Sequence, residues 1–409
     1  MANELKSLNE IFQYKLFRIP DYQRGYACKE SQLVDFWDDL MLLQERRNHY
    51  TGMLLLKKYS INDEVKLLAD SWLLPKYSAY YIVDGQQRLT TSIILINEII
   101  NFVKGLEENK NKNDNEIYID TEKISDIISK YIYKEKPPHN ILKTYIFGYE
   151  EDNPSYLYLR HYIFNEESSG HIEETYYTQN LQFAKDFFDN KINELYELEG
   201  ISGIESLYLK LTLHFQFNTH EIDEDYNVFV AFETMNNRGK KLTNLELLKN
   251  RLIYLTTLFK EDGYDSEDED SLRATINDAW KNVYYYLGKN QEKALSDDEF
   301  LRDHWIIYFK YSRQKGNDYI NYLLNIFSSN NINGLYLNHK EIKELLHPNE
   351  INEYVLSLKN MSKCWYESYF PYESDVLSIE EKVLIEKLNR LEIAYFRPLI
   401  TVAISQTHR

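Results

Sequence analysis

The sequence predicts an α+β region at the N-terminal end and a mainly helical region after it. Up to about residue 103, short apolar runs typical of strands alternate with segments of helical periodicity. Turn signals that contain proline or glycine separate several of these runs. From residue 117 onward most apolar residues recur with helical spacing. These observations together favour the α+β class.

The N-terminal elements are expected in the order strand, helix, strand, strand and helix. Ser31 is the expected N-cap of the first helix, because a serine hydroxyl can accept a hydrogen bond from a first-turn N–H group. The five predicted ranges are 16–20, 31–43, 52–56, 80–83 and 89–103.

Later elements are expected to be helices, interrupted by one strand and several polar loops. Alternating polarity predicts the strand at 207–217. A second apolar run, 227–232, precedes a basic turn. Loops are predicted at 107–116, which is polar, and at 261–270, which is acidic, and a helical segment from 272 to the end.

Composition limits the functional classes. The 409 residues carry a formal net charge of −18, which argues against a surface coated for non-specific DNA binding but allows a local basic groove. Two cysteines cannot form a disulfide framework or a cysteine-rich zinc site. No apolar run reaches the ~18 residues of a membrane helix. We therefore expect a soluble, cytoplasmic protein without a membrane partner.

The most informative motif is the stretch 81–91, in which an apolar run ends and a helical segment begins. A helix N-terminus offers N–H groups and a partial positive charge, so it suits a phosphate. Arg88 can add a bidentate contact, and Asp84 can hold a metal ion or a hydroxyl. Gln86 and Gln87 can orient a water or a base edge. In a purely structural interpretation, Asp84 caps the helix and the other side chains are solvated.

Two further motifs flank this one in the sequence. In residues 20–26 an arginine, Arg24, lies between two aromatic residues at the end of a strand; a surface ion pair is the structural interpretation. Residues 232–243 combine a sharp Asn-Asn-Arg-Gly turn with the densest basic cluster of the chain, which is suited to an anion. Thr243 and Glu246 have capping-box spacing. The cluster consists of Arg238, Lys240 and Lys241.

The three motifs together resemble the N-terminal domain of GmrSD-type, modification-dependent restriction endonucleases, which SspE-type phage-defence proteins share. The matching patterns are Ile-Pro-x-Tyr-Gln-Arg-x-Tyr, Val-Asp-Gly-Gln-Gln-Arg-Leu-Thr-Thr and Phe-Glu-x-x-Asn-x-Arg-Gly-x-x-Leu-Thr-x-x-Glu-Leu-Leu-Lys-Asn. The resemblance covers about residues 8–255 and implies a ParB/sulfiredoxin-like core. It divides the chain into an N-terminal domain, 1–255, with a helical insertion at about 107–200, and a helical domain, 256–409.

The resemblance also implies site roles. Nucleoside triphosphate hydrolysis, with GTP or ATP and Mg²⁺, would use Asp84, Gln86, Gln87 and Arg88, with Asp84 as the metal ligand. Further nucleotide contacts would come from Tyr22, Gln23, Arg24, Gly85, Thr90, Thr91, Asn236, Arg238 and Gly239. DNA, modified or phage-derived, would contact Arg24, Arg238, Lys240 and Lys241. Arg24, Asp84, Arg88 and Asn236 are expected to line one cleft.

Two departures from the family pattern affect these expectations. Cys28 occupies a position that is commonly tryptophan in relatives. The chain also lacks the HNH-type nuclease signature that many relatives carry, so a nuclease domain or a partner subunit would supply cleavage. A homo-oligomer is compatible with the sequence.

The sequence therefore predicts an NTP-hydrolysing module of a restriction or anti-phage defence protein. One alternative is a non-catalytic sensor of modified DNA, or of a phage component, that regulates a separate nuclease. Another makes the ParB-like domain itself a nicking nuclease, although no dense carboxylate cluster lies near the motifs.

Overall fold

The computed structural model describes residues 4–20, 23–44, 47–59, 70–138, 142–151, 153, 155–167, 172, 174–222, 243–259, 266–310, 318–333, 346–391 and 394–408. The fold is mixed α+β, with a mixed sheet in the N-terminal region and a helical C-terminal region, so the predicted class is confirmed. The chain divides into two compact units. Unit 1 comprises Met1–Asp21 and Gly25–Tyr226, and unit 2 comprises Tyr22–Arg24 and Asn227–Arg409.

The strands of unit 1 include all three that were predicted before residue 103. The first prediction corresponds to β2, which ends immediately before Pro20, and the other two lie within β3 and β4. The strands are β1 (Glu4–Ser7), β2 (Lys15–Ile19), β3 (His49–Lys58), β4 (Ser78–Asp84), β5 (Tyr118–Ile119), β6 (Glu122–Lys123), β7 (Tyr133–Glu135), β8 (Lys143–Tyr145), β9 (Phe147–Tyr149) and β10 (Phe215–Ile222).

Within the described part of the chain, the main sheet has six strands in the order β1-β10-β3-β4-β2-β9. The pairs β10–β3, β4–β2 and β2–β9 are parallel, whereas β1–β10 and β3–β4 are antiparallel. The pairing of β3 with β10 is irregular at residues 50–52, because Tyr50 pairs with Gln216 while Gly52 pairs with the next residue, Phe217. This irregularity leaves Thr51 as an extra residue in β3, next to Gly52.

The helices of unit 1 share one hydrophobic core with this sheet. They are α1 (Leu8–Ile11), α2 (Glu30–Leu42), α3 (Gln86–Gly105), α4 (Ile124–Tyr131), α5 (Ser155–Tyr158) and α6 (Tyr176–Leu209). Every residue of α3 from Leu89 to Ile100 is buried, so this helix is enclosed on all sides. Its position inside the main hydrophobic core makes its N-terminus, which follows β4 directly, a rigid support for side chains.

Three sequence predictions for unit 1 are wrong in detail. The N-cap of α2 is Lys29 and not Ser31, because the Gln32 side chain accepts the Lys29 N–H at 2.8 Å and begins the helix earlier. Residues 207–214 are helical and not a strand, and the strand begins only at Phe215. Short strands β5–β9 occupy parts of 118–149, a region that was expected to be mostly helical.

The error at 207–214 has a physical cause. Ile204, Leu207, Tyr208 and Leu211 are all buried, and their spacing of three and four residues matches one face of a helix. Over residues 207–213, however, every second residue is a leucine, so the local pattern is compatible with both a helix and a strand. Packing against the core decides in favour of the helix.

All regular secondary-structure elements among the described residues of unit 2 are helices. Its helices are α7 (Asn244–Thr256), α8 (Ser266–Gly288), α9 (Asp297–Tyr308), α10 (Tyr319–Ile326), α11 (Ser329–Asn333), α12 (Pro348–Tyr369), α13 (Ile379–Arg390) and α14 (Arg397–Thr407). A second hydrophobic cluster, separate from that of unit 1, includes Leu248, Trp280 and Tyr354. The predicted helical character of this region is confirmed.

Helix termini in unit 2 follow local sequence signals. The predicted capping box at α7 is confirmed: the Thr243 N–H donates to Glu246 Oε2 at 2.9 Å, and the Glu246 N–H donates to Thr243 Oγ1 at 3.3 Å. The acidic run 266–270, predicted as part of a loop, instead begins α8. Carboxylates in a first turn interact favourably with the helix dipole, which explains the difference. The described residues contain no helix with the length and hydropathy needed to cross a bilayer.

Candidate anion site at the start of helix α3

The candidate site is built on the turn from β4 to α3. Gly85 is the N-cap of α3 and takes φ 89° and ψ 4°, a left-handed conformation that favours glycine. A Cβ on Gly85 would lie 2.8 Å from the carbonyl oxygen of Met53, so the turn also packs tightly against β3. Because glycine has no side chain, the first turn of α3 has no side-chain cap, and its N–H groups suit an anion.

Arg88 lies in the first turn of α3, against the irregular segment of β3. A Cβ built on Gly52 would be 2.3 Å from Arg88 Nη1 and 2.7 Å from Cζ, so the guanidinium occupies the space that a side chain at position 52 would fill. Arg88 is partly buried. Among the described residues its guanidinium forms no hydrogen bond or ion pair with a protein acceptor. A partly buried guanidinium that lacks a described protein acceptor is suited to binding an external anion.

Asp84 is the last residue of β4 and lies near Arg88. Its Oδ1 accepts the Gly85 N–H at 2.8 Å. Burial raises the pKa of the Asp84 carboxyl, while the Gly85 N–H and the charge of Arg88 oppose that rise. The carboxylate therefore supports the turn through one oxygen. Asp84 does not cap the helix, as the structural interpretation expected, because Gly85 is the N-cap of α3 and the first turn has no side-chain cap. The contact with the Gly85 N–H uses Oδ1 and leaves Oδ2 available to a metal ion.

Gln87 connects the site to the second motif. Its Oε1 accepts the Ala27 N–H at 2.8 Å, and its Nε2 donates to the Gly25 carbonyl oxygen at 3.1 Å. The side-chain amide thus pairs with the backbone on both sides of Tyr26, at Ala27 and Gly25, which are 60 and 62 positions away in the sequence. These two bonds give Gln87 a positioning role for the loop 25–27.

Additional contacts hold the same loop. The Tyr26 hydroxyl and Thr91 Oγ1 are 2.7 Å apart, and Asn180 Nδ2 donates to the Tyr26 carbonyl oxygen at 3.1 Å. Gly25 is also enclosed, since a Cβ there would lie 2.5 Å from Cβ of Tyr177. Cys28 places its Sγ 3.9 Å from both Gln87 Oε1 and Thr91 Oγ1. The loop is therefore a fixed part of unit 1.

The two threonines predicted to contact nucleotide lie in the interior. Thr90 and Thr91 are 1% and 2% exposed. Their hydroxyls donate to the carbonyl oxygens of Gln86 and Gln87, each at 2.8 Å. Direct contact with a ligand would require these side chains to leave the core, so we assign them to the support of the first helical turn.

The remaining predicted site residues lie in unit 2 or outside the described residues. In unit 2, Arg24 Nε lies 3.7 Å from Glu246 Oε1, which is the ion pair that the structural interpretation of this motif predicts. Gln23 is partly buried. Tyr22 and the basic motif, with Asn236, Arg238, Gly239, Lys240 and Lys241, lie outside the described residues. The convergence of Arg24, Asp84, Arg88 and Asn236 in one cleft stays a prediction.

Two residues of the site were missed from the sequence. Gly52 belongs to no motif, and only the position of Arg88 over it shows its importance. Asn180 lies within α6, far from the motifs in sequence, and no local pattern marks it. Within the described ranges no group of three or more His, Cys, Asp or Glu side chains could hold a metal ion. Asp84 is therefore the single carboxylate that the turn itself offers.

The fold is mixed α+β, and the candidate site lies where β4 passes into α3. Residues 6–253 match the family described as GmrSD restriction endonuclease, N-terminal domain. The match spans more than half of the 409 residues, and the chain belongs to this family. The family assignment associates the chain with restriction and defence systems. No curated protein matches the chain.

Proposed function

We propose that this chain binds and hydrolyses a nucleoside triphosphate, GTP or ATP, at the start of α3, and that this activity serves DNA restriction in anti-phage defence. The observation that carries the proposal is the Arg88 guanidinium, which lies over Gly52 beside an uncapped helix N-terminus. A guanidinium and backbone N–H groups directed to one place are typical of phosphate sites.

Arg88 is suited to a phosphoryl-transfer reaction for an electrostatic reason. The transition state carries charge spread over the phosphoryl oxygens, and a positioned cation stabilises that charge. Because Arg88 is already packed against β3, little conformational freedom would be lost on binding. The hydrophobic core also holds α3 rigidly, which further limits the conformational freedom that Arg88 would lose on binding.

The residues of this site could hold Mg²⁺ only together with the phosphate oxygens of a bound nucleotide. Mg²⁺ commonly binds one or two carboxylates together with phosphate oxygens and waters. Asp84 provides one carboxylate, and the described residues contain no larger cluster of ligands. Asp84 would therefore hold the ion or its water shell, and the ion would neutralise charge on the phosphates.

Gln86 is the better candidate for orienting the attacking water. Gln86 is the first residue of α3 and adjoins Asp84 and Gly85, and Gln87 holds the loop 25–27 through both atoms of its amide. A glutamine performs this task in GTPases. In this proposal Gln87 holds the loop 25–27 and acts on the reaction through position alone.

DNA is the proposed target of the whole system. Its contact surface would be confined to the basic cluster Arg238, Lys240 and Lys241 and to Arg24, because the net charge of −18 opposes general attraction to a polyanion. Cleavage of DNA would come from a nuclease domain or a partner subunit.

The test measures phosphate release from ATP, GTP, CTP and UTP with Mg²⁺ for wild type and Arg88→Ala. We expect Arg88→Ala to lose about 100-fold or more in turnover, as for other removed transition-state contacts. Lys104→Ala is a control, because Lys104 is a partly exposed cation near the other end of α3, paired with Asp114 and about 24 Å from Arg88 at ~1.5 Å per residue. Equal turnover in wild type and Arg88→Ala would reject the proposal.

A non-catalytic sensor is the second candidate function. It is favoured by the single carboxylate of the turn and by the lack of a ligand cluster in the described ranges. A ligand that binds only the folded state raises the melting temperature, with a stabilisation of about 2.7 kcal/mol at 100 times Kd. Stabilisation by one nucleotide that depends on Arg88, without multiple-turnover phosphate release, would support the sensor over the hydrolase.

A further inference from the structure

Unit 1 carries a cluster of lysine and tyrosine side chains beside the hairpin β7–β8. Lys134 Nζ lies 5.5 Å from the centroid of the Tyr77 ring, and that ring makes an edge contact with Tyr14 at a centroid distance of 5.7 Å. Lys76 precedes Tyr77, Lys136 lies two residues after Lys134, and both lysines are exposed. We call these five residues, Tyr14, Lys76, Tyr77, Lys134 and Lys136, the lysine–tyrosine patch.

Strand register places Lys134 and Lys136 on the same side of the hairpin. Side chains alternate along a strand, and Lys136 continues the pairing because its N–H donates to the Leu142 carbonyl oxygen at 2.8 Å. Thr144 is the cross-strand partner of Lys134, and its Oγ1 accepts the Trp72 Nε1–H at 2.9 Å. The turn before β4, which contains Trp72 and two residues of the patch, therefore packs on the side that carries these two lysines.

The positive charge of the patch is not neutralised by the residues that the structure describes. Within that part of the chain, Lys76, Lys134 and Lys136 form no ion pair. Glu135 lies opposite Lys143 in the register of β7 and β8, on the other side of the hairpin. In a chain with a net charge of −18, three such lysines beside two tyrosines mark a surface for an anionic partner.

Tyr14 is held outward by an unusual backbone conformation. Its φ is 52°, in the left-handed region that bulky residues rarely adopt. Its carbonyl oxygen accepts the Ser78 N–H at 3.0 Å, which ties the turn to the start of β4, and the side chain is 66% exposed. Burial in the core therefore does not account for a tyrosine at this strained position, whereas contact with a partner does.

We propose that the lysine–tyrosine patch binds an unpaired strand of nucleic acid. Lysines interact with the phosphates of such a strand, and exposed aromatic rings stack on its bases. A duplex hides the faces of its bases, and an acidic polypeptide has carboxylates but no regular series of planar rings for Tyr14. The electrostatic argument that restricts duplex DNA to a local basic surface applies equally to this second surface and to a different form of the polymer. None of its residues belongs to the anion site at the start of α3.

The first test measures binding of the full chain to a labelled oligothymidylate of about 16 nucleotides by fluorescence anisotropy over a series of salt concentrations. Each lysine that contacts a phosphate adds about 0.7 to the slope of log affinity against log salt, so Lys134→Ala with Lys136→Ala should flatten the slope by about 1.4. Lys110→Ala with Lys112→Ala is the matched control, because these exposed lysines of unit 1 have the same spacing and charge. No binding by wild type, or the same slope in both double variants, would overturn the proposal.

The second test concerns stacking. Tyr14→Ala changes no charge, so Kd should rise roughly 5- to 150-fold while the salt slope stays constant. Tyr14→Phe keeps the ring and should retain the affinity, and Tyr118→Ala, at another exposed tyrosine of unit 1, should also retain it. Asparagine adopts a positive φ more readily than tyrosine, so Tyr14→Asn should lose affinity without a lower melting temperature. Unchanged affinity in Tyr14→Ala and Tyr14→Asn would refute the stacking role.

Competing ligands identify the partner. Oligouridylate of the same length distinguishes RNA from DNA, since the strand that binds more tightly is the source of the shared chemistry. Tighter binding of a duplex than of either single strand would overturn the proposal. Polyglutamate that displaces the oligonucleotide, and whose own binding survives Tyr14→Ala, would overturn it in favour of an acidic polypeptide.

Discussion

Gly52→Ala is expected to abolish most nucleotide turnover through a movement of Arg88. The added methyl would lie 2.3 Å from Arg88 Nη1 and 2.7 Å from Cζ, whereas carbon contacts are favourable at about 3.5–4.0 Å. The guanidinium must therefore move by more than about 1 Å to restore contact distance. A misplacement of this size in a positioning group can cost about 100-fold in rate.

The stability cost of the same change should be modest. The nearest atoms belong to the end of a flexible side chain, which can turn away. The remaining cost comes from φ 136° at position 52, and strained backbone of this kind costs about 1–3 kcal/mol. The variant should therefore fold with a lowered melting temperature and retain its circular dichroism spectrum.

The assay compares phosphate release by wild type, Gly52→Ala, Arg88→Ala and the double variant. If Gly52 acts through Arg88, the glycine change should cost little in the Arg88→Ala background, so the two losses should not add. Gly148→Ala is the matched control, because a Cβ there meets nothing within 4 Å. Wild-type turnover in Gly52→Ala, or strictly additive losses, would refute the reasoning.

Two further predictions concern the neighbouring residues. Gln87→Leu removes both hydrogen bonds to the loop 25–27 and leaves two backbone groups unpaired. We expect the free energy of unfolding, measured by urea titration, to fall by about 2–4 kcal/mol. An unchanged free energy of unfolding would exclude the positioning role. Asp84→Asn should raise the melting temperature at neutral pH, because burial raises the pKa of Asp84 and ionisation then opposes folding. The higher melting temperature of Asp84→Asn should vanish below about pH 3.9, where the Asp84 carboxyl is protonated in both the folded and the unfolded chain. A difference in melting temperature that does not change with pH would contradict this prediction.

Local signals account for the parts of the fold that were predicted correctly. The strand, turn and helix around Asp84 and Gly85 depend on an apolar run, a glycine and the residues that follow, all within one short window. The capping box of Thr243 and Glu246 likewise needs only four consecutive residues. Where the local pattern allowed both structures, as at 207–214, the prediction failed.

The sequence alone determined the class of fold, the motif at the start of α3 and the family resemblance, because each is carried by neighbouring residues or by their order. Tertiary structure alone decided that Arg88 lies over Gly52 and that Gln87 pairs with the loop 25–27. It also decided that Thr90 and Thr91 are interior. The physical reason is that contact, burial and exposure depend on strands and helices far apart in the chain, whose arrangement no single window of sequence contains.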